Sequence, residues 1–130
     1  DPIVVAVAML SAQEAHLHIS ADLPRPQGLI HGFLVRKAEK THGTGQRIEG
    51  FREQGARVVV VDDVCTTGAS TVQAIEAARE YGFRLAGIMC LVEREESAGR
   101  PAIELAAHGV PFVSIFTASE VRAEHLRQRK

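Results

Sequence analysis

Asp62 and Asp63 stand side by side, and after Val64 and Cys65 comes Thr66-Thr67-Gly68-Ala69-Ser70-Thr71, a run of small residues rich in hydroxyls. Backbone N–H groups in a small glycine-containing turn, reinforced by the dipole of a following helix, favour a phosphate. Adjacent carboxylates can hold sugar hydroxyls or a metal ion. A second group is cationic. Arg36, Lys37, Lys40, His42 and Arg47 share the segment Arg36–Gly50 with Gly43, Gly45 and Gly50. Cations on glycine-rich backbone predict a mobile, anion-seeking loop, although composition alone would make it an ordinary solvated one.

The elements that must position these groups follow from the flanking sequence. Val58 to Val61 is a β-branched apolar run suited to a strand buried on both faces of a parallel sheet, ending in the acidic pair. Thr71–Tyr81 carries Val72, Ile75 and Ala78 at helical spacing, with Ser70 or Thr71 as N-cap and Gly82 as the C′ residue. Arg84–Val92 reads as a second buried strand that delivers Glu93-Arg94-Glu95-Glu96 at its end. Arg100–His108 reads as a short helix, Pro111–Phe116 as a strand, and Thr117–Lys130 as a polar helix with a Thr117/Glu120 capping box. Near the start, Pro2 and the alanines Ala6, Ala8, Ala12 and Ala15 favour a helix over the β-branched Ile3, Val4 and Val5. His18–Gln27, with Pro24 and Pro26, reads as a loop, and Gly28–Val35 as a strand. Alternating helices and strands predict an α/β domain, with a mostly parallel sheet and helices on both faces. The site then lies beyond the carboxyl ends of the strands.

The chain's 130 residues suffice for one domain. A net charge of −1 gives no support to bulk binding of nucleic acid or a membrane surface. The apolar run Pro2–Leu10 is far shorter than the ~20 residues a span requires. Cys65 and Cys90, without CxxC spacing, fit reduced thiols in a cytoplasmic protein. Cys65 reads as a space-filler in the loop and Cys90 as inert in a strand. His16 and His18 lie on one side of an extended segment but lack further metal ligands nearby, and His108 and His125 read as surface or helix-end residues. The hydroxyl-rich loop has neither GxxxxGK[ST] nor GxGxxG, which argues against a nucleoside-triphosphate P-loop and a dinucleotide site.

The run VVVVDDVCTTGAST closely resembles the phosphoribosyl-pyrophosphate (PRPP) motif of the type I phosphoribosyltransferases. That resemblance implies a type I phosphoribosyltransferase-like core, with Asp62 and Asp63 as ribose contacts near Mg²⁺. Thr66, Thr67, Gly68, Ala69 and Ser70, with Thr71, would form the phosphate cradle, and Val64 and Cys65 would also belong to the PRPP site. The segment RKAEKTHG is similar to the catalytic loop R-K-x-x-K-D-H-G of the orotate phosphoribosyltransferases, matching at Arg36, Lys37, Lys40, His42 and Gly43 and departing at Thr41. In that family the loop closes over the active site of a dimer partner, so a homodimer is implied, with Lys40 nearest the charge developing on pyrophosphate. In LVEREE, Arg94 stands where those enzymes place an arginine for the orotate carboxylate, and Thr66 where a hydroxyl meets the same base. A guanidinium suits a bidentate carboxylate. On the residues alone, a surface salt bridge from Arg94 to Glu93, Glu95 or Glu96 is equally open.

The activity implied is transfer of the phosphoribosyl group from PRPP to orotate in pyrimidine biosynthesis. Catalysis would rest on Lys40, Asp62 and Asp63, with Mg²⁺ carried mainly by PRPP and pyrophosphate. The alternatives are a phosphoribosyltransferase for another base and a non-catalytic PRPP-binding regulatory domain. The chain starts at Asp1 without methionine, as a fragment would, and the resemblance implies that the hood over the base and much of the pyrophosphate loop precede it. Leu17–Gln27 is longer than the connection usual in the family.

Overall fold

The computed structural model describes residues 2–17, 28–36 and 47–129. They divide into two compact units, Asp1–Arg52 and Glu53–Lys130.

The first unit opens with helix α1 (Pro2–Leu17). Its apolar residues are spread around the whole circumference, and Val5, Val7, Met9 and Leu10 are exposed. The main chain at His16 is helical, not extended as its sequence neighbourhood suggested. His18 and the loop expected over residues 18–27 lie outside the described residues. Only Phe33–Val35 (β1) of the expected Gly28–Val35 strand is extended, and it pairs antiparallel with Ile48–Gly50 (β2). Strand β2 corrects the reading of Arg36–Gly50 as loop throughout. Phe33 pairs with Gly50 and Val35 with Ile48, and the Arg36 N–H donates to the Arg47 carbonyl at 2.8 Å. A side chain on Gly50 would meet the Gly32 carbonyl and the Phe33 backbone, so glycine permits the two strands to close there.

The second unit is a parallel sheet of β3 (Arg57–Cys65), β4 (Arg84–Glu93) and β5 (Phe112–Thr117), in that order. Helix α2 (Ala69–Tyr81) connects β3 to β4, α3 (Gly99–Ala107) connects β4 to β5, and α4 (Ala118–Gln128) follows. Val58, Val60, Ile88 and Cys90 of the sheet are buried together with Ile75, Ala77 and Ala78 of α2 and Ile103 and Ala107 of α3. Val59, Val113 and Ile115 are exposed, as the period-two alternation of strand side chains requires of a sheet with one face toward these helices. The Arg79 guanidinium donates to the carbonyls of Ala106 and Ala107, fastening α2 to the end of α3.

Local chemistry explains where the elements stop. Gly82 adopts φ 101° and ends α2, its N–H bonding the Arg79 carbonyl while that of Phe83 bonds Ala78, as expected of a C′ glycine. Thr117 and Glu120 make the anticipated reciprocal cap on α4. Strand β3, in contrast, does not end at Val61. Parallel pairing with β4 carries it through Asp62 and Asp63 to Cys65, because the ladder continues through Val64↔Val92 and Cys65↔Glu93.

Candidate functional site

In the ladder, Cys65, Glu93 and Thr117 are aligned, so the carboxyl ends of all three strands reach one edge of the second unit. The residues singled out at Asp62–Thr71 and at Arg94 belong to that edge. The backbone joins them: the Arg94 N–H donates to the Cys65 carbonyl at 3.0 Å, so Arg94 and Thr66 follow strand ends that are hydrogen-bonded to each other.

The two aspartates, being consecutive in a strand, point to opposite faces. Asp62 is half-buried, and its Oδ2 accepts from Ser70 Oγ at 2.8 Å and Thr71 Oγ1 at 2.7 Å. Its Oδ1 accepts from the Asp63 N–H at 3.0 Å. Asp62 therefore ties β3 to the first turn of α2. Asp63 is exposed, and its Oδ1 accepts from the N–H of the exposed Val64 at 2.7 Å.

The turn is tighter than its sequence suggested. Helix α2 begins at Ala69, so Ala69, Ser70 and Thr71 are its first residues and not part of the loop. Gly68, at φ 75°, is the N-cap, and no side chain caps the helix. Ser70 and Thr71 fail as caps because their hydroxyls are committed to Asp62. Only Thr66, Thr67 and Gly68 remain between strand and helix. The Ala69 N–H lies 3.4 Å from Thr67 Oγ1, a weak contact.

Beneath this turn sits the start of α3. A side chain on Gly99 would collide with the Thr66 carbonyl and Cys65 Sγ, and one on Gly68 would meet the Gly99 carbonyl and Ile103. The two glycines thus allow backbone to rest on backbone.

Sequence reasoning treated Glu93 only as a possible partner for Arg94, and it missed Glu93's actual partners. Glu93 is 6% exposed. It accepts from Arg100 Nε at 2.6 Å, Arg100 Nη2 at 2.5 Å and Ser114 Oγ at 2.9 Å. The Arg100 bonds, aided by Ser114, outweigh burial and hold the Glu93 carboxyl below the usual glutamate range; the same pairing raises Arg100 further. Arg100 also lies over the Phe112 ring, 4.6 Å from its centroid. The sequence signal was faint: an acid at a strand end and an arginine seven residues on.

Arg94 is exposed, and among the described residues its guanidinium makes no ion pair. The salt-bridge reading fails in detail, since Glu93 is held by Arg100 while Glu95 accepts from Ser119 Oγ at 3.0 Å. Cys65 and Cys90 are free and buried. Burial pushes both thiols up; the Glu93 and Asp62 carboxylates act on Cys65 in the same direction, which leaves a neutral thiol near pH 7. His108 ends α3 in a left-handed conformation and His125 lies in α4, both exposed.

Of the cationic group, Arg36 and Arg47 are described. Arg36 follows β1, and its Nε lies 2.8 Å from Glu49 Oε1 in an exposed pair. Arg47 precedes β2, and its Nε is buried without a hydrogen-bond partner among the described residues. Lys37, Lys40, Thr41, His42 and Gly43 lie outside the described residues. Among the described residues, no group of three or more His, Cys, Asp or Glu is arranged to hold a metal, and no helix is long and apolar enough to cross a membrane.

Comparison with known proteins matches this arrangement. The family profile "Phosphoribosyl transferase domain" fits residues 4–107. The chain is 40% identical over 121 residues to an orotate phosphoribosyltransferase of Aquifex aeolicus, covering 93% of this chain and 58% of the relative. It is 42% identical over 91 residues to one from Natronomonas pharaonis, covering 70% of this chain and 51% of that protein. The chain therefore spans about half the length of the curated relatives it matches. Among solved structures, orotate phosphoribosyltransferase from Aeropyrum pernix superposes with a TM-score of 0.57 at 41% identity, covering 69% of this chain and 49% of that one. The Mycobacterium tuberculosis enzyme in complex with PRPP superposes with a TM-score of 0.61 at 26% identity, covering 88% and 74%.

Proposed function

The chain belongs to the phosphoribosyl transferase domain family, and from that premise we propose that it carries the sugar-phosphate site of an orotate phosphoribosyltransferase. The reaction is displacement of pyrophosphate from C1 of PRPP by a ring nitrogen of orotate, giving orotidine 5′-monophosphate. The observation that carries the reading is Arg94: an exposed guanidinium, without an ion pair among the described residues, follows a strand end bonded to the one that leads into Thr66. A planar cation so placed suits a carboxylate on the incoming base.

The other residues take roles that their geometry supports. The Thr66–Gly68 turn and the uncapped start of α2 present backbone N–H groups to the 5′-phosphate. Asp63 and, through its remaining lone pairs, Asp62 accept from ribose hydroxyls and orient the ring as positive charge grows on it. Asp63 has one carboxylate oxygen engaged by Val64, while Asp62 has both engaged within the chain. That donor set fits Mg²⁺ held mainly by substrate oxygens better than an all-protein cage. When bound, Mg²⁺ supplies neutralisation of charge on the departing pyrophosphate.

Arg36, Lys37, Lys40 and His42 would complete the leaving-group chemistry across a homodimer interface, their cations offsetting the charge that develops on pyrophosphate. This assignment rests on the sequence match RKAEKTHG. The free, buried cysteines favour a cytoplasmic setting.

The direct test incubates the intact protein with PRPP, Mg²⁺ and a panel of bases and follows pyrophosphate release. Orotate-dependent release is the expected result; consumption of a purine but not orotate would refute the base assignment, and binding without turnover would indicate a regulatory domain. For Lys40→Ala, kcat should fall far more than PRPP affinity; equal losses in both would remove Lys40 from the transition state.

A further inference from the structure

The buried carboxylate of Glu93 is joined to three elements at once. It ends β4, its oxygens are gripped by the Arg100 fork from the second residue of α3, and Ser114 reaches it from β5. On either side of this pair the backbone supports the site. Arg94, next to Glu93, donates its N–H to Cys65. Gly99, next to Arg100, lies against the Thr66 carbonyl so closely that no side chain would fit. The pair thus spans the turn from β4 to α3, and the hydroxyl-rich turn rests on the start of α3.

A pair of this kind is a poor way to gain stability. Desolvating the Glu93 charge offsets much of its attraction to the part-exposed Arg100, and well-packed apolar side chains commonly do as well. What apolar groups do not supply is a bidentate fork that fixes angle as well as distance. We propose that Glu93 and Arg100 are positioning residues: by fixing the start of α3 relative to the ends of β4 and β5, they hold Thr66–Gly68 and the Arg94 backbone in the geometry that binds the sugar phosphate. The ligand named here rests on the function proposed above, whereas the positioning of the turn does not.

The test compares the intact wild-type protein with Glu93→Gln, Arg100→Lys and the apolar double variant Glu93→Leu/Arg100→Met. Three quantities are measured: thermal unfolding, amide hydrogen exchange at residues 66–68 without ligand, and PRPP affinity by calorimetry. The double variant should unfold near the wild-type temperature yet exchange faster at the turn and bind PRPP about 10- to 100-fold more weakly. Arg100→Lys, which keeps the charge but not the fork, should fall between it and wild type. Turn exchange and PRPP affinity unchanged in the folded variants would overturn the proposal. If the double variant does not fold, Arg100→Lys and Glu93→Gln decide by the same two readouts. A wild-type protein that fails to bind PRPP would refute the ligand assignment, and the exchange data would still decide the positioning role.

Discussion

Asp62 and Arg36 are both expected to meet the same substrate, yet the protein holds them by opposite means. Asp62 sits within a nine-residue strand and accepts three hydrogen bonds, two of them from the first turn of the next helix. Arg36 follows a three-residue strand in a two-stranded ribbon, and its guanidinium is in an exposed pair with Glu49. The ribbon buries Ile48 but has only three residue pairs among the described residues, whereas the parallel sheet is longer and packed on helices. Under the proposed function, the groups assigned to the sugar and its phosphate are fixed before the ligand arrives, while Arg36, assigned to the leaving group, stands on less structure. Such a division suits a reaction in which one part of the substrate is held throughout and another departs.

If the contrast is correct, substitutions in the sheet unit should be felt far more than those in the ribbon. The largest effect is expected at Gly99, where a methyl must push against backbone and sulfur rather than a flexible side chain. Gly99→Ala should cost about 3 kcal/mol of stability in urea unfolding, at the upper end of ordinary overpacking. Next is Arg94. Removing one charged bond to a substrate carboxylate costs about 1.5–3 kcal/mol, so Arg94→Ala should raise the orotate KM roughly 10- to 100-fold with the PRPP KM little changed. Equal changes in both would place Arg94 outside the base site.

A smaller, pH-dependent effect belongs to Glu93. Its carboxyl is depressed in the folded protein, chiefly by the Arg100 bonds, so its contribution is fully present above the unfolded glutamate pKa of about 4.3. It is lost as pH falls below that value through the folded pKa. Thermal unfolding of the wild type should therefore weaken on acidification more steeply than that of Glu93→Gln. The smallest effect is expected in the ribbon: Glu49→Gln removes an exposed pair worth about 0–1 kcal/mol, and the unfolding temperature should barely move.

The sequence was most legible where local chemistry suffices. The strand character of the β3 valines, Gly82 after α2 and the Thr117/Glu120 box are governed by neighbours a few residues away, and each takes the expected place. Only Val58 and Val60 are buried, however, while Val59 is exposed, so the strand is not buried on both faces. The sequence misled where a tertiary partner decides. Asp62 and Asp63 look like a strand exit, but the β4 ladder holds them in extended conformation. Ser70 and Thr71 have the right chemistry for caps but bond Asp62 instead. Ile48–Gly50, short and flanked by charge and glycine, becomes a strand through pairing with Phe33–Val35. The grip of Arg100 on Glu93 spans seven residues around a turn, a relation that neither helical nor strand periodicity encodes.

The bare start of α2 has one more consequence. Gly68 brings the chain into the helix without lending it a side-chain oxygen, so the first-turn amides have no side-chain acceptor beyond the weak 3.4 Å contact of Ala69 with Thr67 Oγ1. An anion seated there would complete the helix as well as occupy a pocket, and part of its binding energy would appear as helix stability. The ligand's phosphate would then be a structural member of the fold for as long as it stays.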